Sequence, residues 1–224
     1  SHTRKKMSGY LKLSITLEKR GRHNSNIMIT DTFTFKEDIS VFEGDPDYTQ
    51  MTIDQLYQLR SRDSVTDGAS NVNGWQKEIN TMPEYYQLRS MIMKQFVEYF
   101  EKNVGTLNME VDIVKFFANI NPPGASHTMH HHIGGHYSGA YWLQADQGAG
   151  NIIIMNPYPN NFISTFCQNT VEETENGFKT FDCIGVWPQV NKGVFFNSNL
   201  IHYVDVNRSD RDRIGVAFHL YLKE

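Results

Sequence analysis

Two early stretches, residues 10–17 (YLKLSITL) and 26–35 (NIMITDTFTF), broadly alternate apolar and polar side chains. That is the period of a half-buried strand. From Thr52 to Arg62 the spacing changes to that of a short helix, and residues 63–74, rich in Ser, Asp, Asn and Gly, predict a loop. A longer helix is predicted from Pro83 to Val104. Pro83 suits a first helical turn, where its missing N–H would have no partner anyway. Tyr85, Leu88, Ile92, Phe96 and Phe100 recur at steps of three and four, forming one apolar stripe that should pack on a sheet.

From residue 111 the pattern is β. Candidate strands are 111–120, 137–145, 151–155, 193–197, 200–206 and 213–222, with turn signals at 121–124 (NPPG), 146–150 (DQGAG), 156–161 (NPYPNN) and 187–193 (WPQVNKG). Many short strands between regular turns predict a sandwich or barrel. The expected organisation is a single domain over 1–224, with a mixed α/β part at 1–110 packed on a β core at 111–224.

Composition adds exclusions. With 39% apolar and 12% aromatic residues the 224-residue chain is a folded globular protein rather than a disordered one. A net charge of −4 leaves no dominant basic field, which argues against nucleic-acid binding. No run of eighteen apolar residues predicts a membrane span. No secretory signal pattern opens the sequence, and Cys167 and Cys183 fit neither a CxxC motif nor a disulfide framework. A cytoplasmic protein with reduced thiols is the expectation. A homodimer stays open.

The chemistry concentrates in histidine. Five of the nine, His127, His130, His131, His132 and His136, fall within ten residues. Imidazole is the commonest metal ligand. On an extended segment His130 and His132 point to one face and His131 to the other. His202, in a predicted strand among apolar neighbours, is the natural further ligand. Arg213 opens the apolar strand RIGVAF, a costly position for a guanidinium unless an anion meets it, whether a ligand carboxylate or a side chain such as Asp205 or Asp210.

Four segments carry a resemblance: SNVNGWQ (70–76), HHHIGGHYSGAYWL (130–143), IIIMNP (152–157) and GVFFNSNLIHYVDVNRSDRDRIGVAFHL (193–220). In order and spacing they resemble the iron(II)/2-oxoglutarate-dependent oxygenase superfamily, in particular a bacterial and phage branch with a His-x-His…Ser-Gly-x-Tyr segment. The resemblance implies a double-stranded β-helix, a jelly roll, mainly β with flanking helices. It implies Fe(II) at His130, His132 and His202, with Arg213 pairing with the far carboxylate of 2-oxoglutarate. Tyr141 and Asn119 become candidate co-substrate contacts, and His136, Asp205 and Trp142 possible extra ligands or substrate contacts.

Two departures stand out. His132 occupies the position where the superfamily has a carboxylate, leaving a more positive metal and leaving His132, Asp205, His136 and water open as the third ligand. Gly215 replaces the Ser of the Arg-x-Ser motif, so one hydrogen bond to the co-substrate is missing or comes from Tyr141. The implied activity is O₂-dependent hydroxylation of a C–H bond with release of succinate and CO₂, on a small-molecule or peptidyl substrate that the sequence does not name. Phe117, Tyr141 and Trp142 are candidates for a dry pocket wall, with Asn119 and Asn121 sharing a face. Two other readings compete. One is a cupin-type metalloenzyme without 2-oxoglutarate, in which His136 is a fourth ligand; the other is a non-catalytic jelly-roll binding module. Arg213 discriminates, because a cupin needs no Arg at that strand start.

Overall fold

The structure, a computed structural model, describes residues 39–158 and 171–223; the strands expected at 10–17 and 26–35, and Cys167, lie outside the described residues. Among the described residues thirteen strands form two antiparallel sheets. In chain order they are β1 (Ser40–Glu43), β2 (Asn71–Val72), β3 (Trp75–Glu78), β4 (Glu110–Asn121), β5 (Ser126–His130), β6 (Tyr137–Gln144), β7 (Ile152–Met155), β8 (Glu172–Thr174), β9 (Gly177–Lys179), β10 (Cys183–Val186), β11 (Lys192–Asn197), β12 (His202–Val204) and β13 (Arg213–Lys223). One sheet has the order β1-β11-β6-β13-β4-β3 and the other β2-β5-β12-β7-β10-β9-β8. The facing sheets are the expected jelly roll.

Helices α1 (Thr49–Arg62) and α2 (Tyr86–Asn103) cover the outer face of the six-stranded sheet; Pro83–Tyr85 forms a 3-10 turn ahead of α2. Of the predicted stripe, Leu88, Ile92 and Phe96 are buried and Phe100 lies at its edge, while Tyr99, outside the stripe, is buried as well. Phe96 packs edge-on against Phe195 and Tyr137, at ring-centroid distances of 5.4 and 5.0 Å. Burying such a ring contributes about 3 kcal/mol.

Strand alternation then divides the core. On β4, Phe116, Ala118 and Ile120 face the helices. Phe117, Asn119 and Asn121, one residue out of phase, line the cavity between the sheets. On β13, Ile214, Val216, Phe218 and Leu220 join the helix-side core, which leaves Arg213, Gly215, Ala217 and His219 to the cavity. A second apolar cluster, including Trp142, Ile154, Val194 and Phe196, fills the space between the sheets.

The residues before 111 also supply strands. β1 pairs with β11, β3 with β4, and β2 with β5, so 40–43 and 71–78 are part of the two sheets. The predicted 63–74 loop therefore ends in β2, and Trp75–Glu78 becomes an edge strand of the six-stranded sheet. Residues 172–179 form the β8–β9 hairpin at the edge of the seven-stranded sheet. No helix among the described residues is long and apolar enough to cross a membrane.

Candidate metal centre

The end of β5 and the extended residues after it carry His130 and His132, and β12, paired to β5, carries His202 directly opposite His130. The three side chains converge, each offering one ligand atom, and these atoms lie within 4.8 Å of one another. Ring centroids are 5.0 Å apart for His130–His132, 4.3 Å for His130–His202 and 4.7 Å for His132–His202.

The opposite edge of each ring is already committed. Nδ1 of His130 donates to the Thr128 carbonyl at 2.7 Å, and Nδ1 of His202 to the Leu200 carbonyl at 2.9 Å. Nδ1 of His132 meets the Ser138 hydroxyl at 2.7 Å, which in turn meets Ser198 at 2.7 Å. Such outer partners fix ring orientation and leave the Nε2 lone pairs for a cation. Burial, reinforced by the neighbouring imidazoles, pushes the pKa of His132 down to about 2. Burial likewise lowers His202 to about 4. Both rings are therefore neutral near pH 7, the protonation state a metal needs. The donor set is three imidazoles without a carboxylate, which suits a divalent transition metal.

Arg213 lies on the facing sheet and is 4% exposed. Its Nη1 donates to the carbonyls of Ala149, Gly150 and Asp205. Its Nη2 is buried and has no partner among the described residues. Among the described residues no carboxylate forms an ion pair with it; the Asp205 contact is through the backbone. Burial pulls the guanidinium down to about 10, still charged at neutral pH. A buried cation with a free donor edge, lining the same cavity as the imidazoles, can accept an anion such as a carboxylate. The cavity of about 450 Å³ is also walled by Phe117, Trp142, Ile152 and Phe196.

Several expected residues are placed elsewhere. Tyr141 belongs to the helix-side core, stacked on Phe42, with its hydroxyl 3.4 Å from Asn191. The alternation that turns Ser138 and Trp142 toward the other sheet turns the Tyr141 ring toward the helices, so the residue borders the cavity while its hydroxyl points to Asn191. Burial pushes this phenol up to about 12. His136 is exposed, accepts from the Leu222 amide at 3.0 Å and stacks on Tyr221, so it is no fourth ligand. Asp205 is absent from the ligand cluster and its carbonyl, not its carboxylate, serves Arg213. Asn119 does reach the cavity; its amide nitrogen contacts the Phe117 carbonyl at 3.4 Å and its buried oxygen has no partner. Trp142 lines the cavity wall.

Sequence reasoning missed His219 and passed over His127. His219 stacks on His132 at 3.9 Å, and its parity with Arg213 along β13 is the signal that places it on this face. His127 lines the cavity and is held near a pKa of about 3 by burial and then by Arg213. It lies three residues from His130, the wrong parity for a regular strand. A register shift between the His202–His130 and Val204–His127 pairs inserts an extra residue into β5 and brings His127 inward.

Residues 115–219 match the family model described as "Putative 2OG-Fe(II) oxygenase". The fold is similar to a prolyl-4-hydroxylase from Pseudomonas putida, with a TM-score of 0.55 and 13% identity over 84% of this chain and 93% of that one. It is similar to SnoN, a non-heme alpha ketoglutarate dependent epimerase from nogalamycin biosynthesis, with a TM-score of 0.58 and 11% identity over 84% and 77%. HygX from Streptomyces hygroscopicus, with nickel and 2-oxoglutarate bound, gives a TM-score of 0.54 and 12% identity over 82% of each chain. At these identities the likeness establishes the fold. A search by sequence among curated proteins finds no match.

Proposed function

We propose that this chain, whose residues 115–219 match the 2OG-Fe(II) oxygenase family model, is an iron(II)/2-oxoglutarate oxygenase that hydroxylates a C–H bond of a substrate admitted to the cavity between the two sheets. The observation that carries the reading is the Arg213 Nη2 donor, buried and without a partner among the described residues, on the cavity that also holds three converging imidazoles. A metal site alone would not need it.

His130, His132 and His202 would hold Fe(II), and Arg213 would hold the far carboxylate of 2-oxoglutarate. Iron, 2-oxoglutarate and O₂ together supply the oxidising power, with succinate and CO₂ as co-products. The chain supplies placement. Carbonyls 149, 150 and 205 clamp one edge of the guanidinium and leave the other to the ligand. Ser138 and Ser198 hold the His132 ring from behind. Phe117, Trp142, Ile152 and Phe196 form an apolar wall beside Arg213, and lowering the local dielectric strengthens its charge–charge contact with a carboxylate.

The test is to purify the protein without oxygen, add Fe(II) and record the visible spectrum with and without 2-oxoglutarate. A weak absorption band that needs both, followed by succinate formation on admitting O₂, is the expected result. Absence of both band and succinate overturns the reading. A substrate product heavier by one oxygen atom separates hydroxylation from epimerisation.

A further inference from the structure

In the oxygenase reading, on which this inference rests, the far carboxylate of 2-oxoglutarate has two oxygens to satisfy and Arg213 as its cation. The hydroxyl that a Ser at 215 would provide is absent. It cannot be restored there, because a Cβ at Gly215 would meet the Tyr141 carbonyl. Tyr141 itself faces the helices. We propose that His127 is the second anchor, donating through Nδ1–H to the same carboxylate that Arg213 binds.

Three observations converge on it. The bulge in β5 turns His127 into the cavity that Arg213 lines. Asn121, directly opposite Arg213 in the β4–β13 pairing, donates from Nδ2 to His127 Nε2 at 2.9 Å. The ring is neutral, so an accepting Nε2 places its one proton on Nδ1. Nδ1 has no hydrogen-bond partner among the described residues. The tautomer is further braced because the Asn121 oxygen accepts from Asn71 Nδ2 at 3.2 Å. Gly74 makes room for this chain, since a Cβ there would collide with the side-chain oxygens of Asn71 and Asn121. A neutral donor beside one guanidinium matches a single negative charge without adding a second cation to a partly buried site.

The test measures ligand binding on Ni(II)-loaded protein by calorimetry, so turnover is not needed. The ligands are 2-oxoglutarate and 2-oxopentanoate, which has the same chelating end but a methyl group in place of the far carboxylate. His127→Ala is expected to raise the Kd for 2-oxoglutarate about tenfold, or about 1.4 kcal/mol, while moving 2-oxopentanoate by less than about twofold. His127→Asn, whose amide nitrogen overlaps Nδ1, is expected to recover most of the loss; His127→Gln, which reaches the Nε2 position instead, is not. Nickel content and thermal melting check the fold, and if the alanine variant does not fold the Asn/Gln pair carries the test. Wild-type affinity in the alanine variant, equal losses for both ligands, or equal behaviour of Asn and Gln overturns the inference. Wild-type protein that does not prefer 2-oxoglutarate over 2-oxopentanoate would instead sink the oxygenase reading itself.

Discussion

The Ser138 hydroxyl lies 2.7 Å from Nδ1 of His132 and 2.7 Å from the Ser198 hydroxyl, both serines being fully buried. This pair stands behind the one imidazole that occupies a carboxylate's place. Ser138→Ala removes the hydrogen bond behind the His132 ring and the partner of Ser198. Loss of such a partner typically costs about 10–100-fold in metal affinity. The expected outcome is a Ni(II) or Fe(II) Kd raised by about tenfold, read by competition with a chelator, with a far smaller change for Ser64→Ala in the connecting loop.

Arg213→Ala should separate metal from co-substrate. The guanidinium touches no histidine ligand, so metal content should stay at the wild-type level while the Kd for 2-oxoglutarate rises by about 100-fold, the scale of a desolvated charge-assisted pair. Arg213→Lys should recover little, because a lysine cannot both satisfy the three carbonyls around residues 149, 150 and 205 and present a second donor edge to the ligand. Loss of metal together with 2-oxoglutarate binding would mean that Arg213 holds the sheets together rather than a ligand.

Much of this site is legible along the chain because it follows strand parity. His130 and His132 share a face, Arg213 opens an apolar strand, and His202 sits among apolar neighbours. Parity fails where a strand is irregular. The bulge in β5 hides His127, and no local spacing announces it. Tyr141 shows the converse failure. Parity correctly separates it from Trp142, yet which of the two faces the cavity depends on where α1 and α2 pack, a tertiary fact. The sheet edges β1, β2 and β3 were equally hard to read, being four residues or fewer and defined by their partners rather than by their own pattern.

Tyr141→Phe is therefore expected to leave the 2-oxoglutarate Kd within about twofold of wild type. The hydroxyl it removes lies near Asn191, so the change should appear in stability, at about 1 kcal/mol for one lost hydrogen bond. A large loss of co-substrate affinity with unchanged melting would show that the phenol reaches the cavity after all.

Asp112 makes a pH-dependent tie. It bonds Lys223 at 2.6 Å and pairs with Arg89, linking β4 to the end of β13 and to α2. The Lys223 bond, with Arg89 adding to it, holds the carboxyl below its ordinary value. A carboxyl depressed on folding stabilises fully above its unfolded pKa of about 3.9, and that stability is lost as pH falls through the lower folded value. The groups are partly exposed, so after solvent screening the contribution is about 0.5 kcal/mol. Asp112→Asn should lower stability by about that amount at pH 7, with the difference from wild type shrinking below pH 4. A deficit that persists undiminished at pH 2–3 would assign the effect to packing.

Gly215→Ser tests whether the hydroxyl of the Arg-x-Ser motif can simply be put back. Residue 215 stands at an irregularity in the β13–β6 pairing, where the register shifts between Ile214 and Gly215. The strands approach closely enough that a Cβ would press on the Tyr141 carbonyl and the Trp142 backbone. Both neighbours are main chain and cannot swing aside. Overpacking of this kind costs about 1–3 kcal/mol. The serine variant should therefore melt earlier and bind 2-oxoglutarate no better than wild type, because the shift needed to admit Cβ also moves the strand that begins with Arg213. A variant that folded normally and gained affinity would show that the β6–β13 spacing is adjustable and that the glycine serves another purpose.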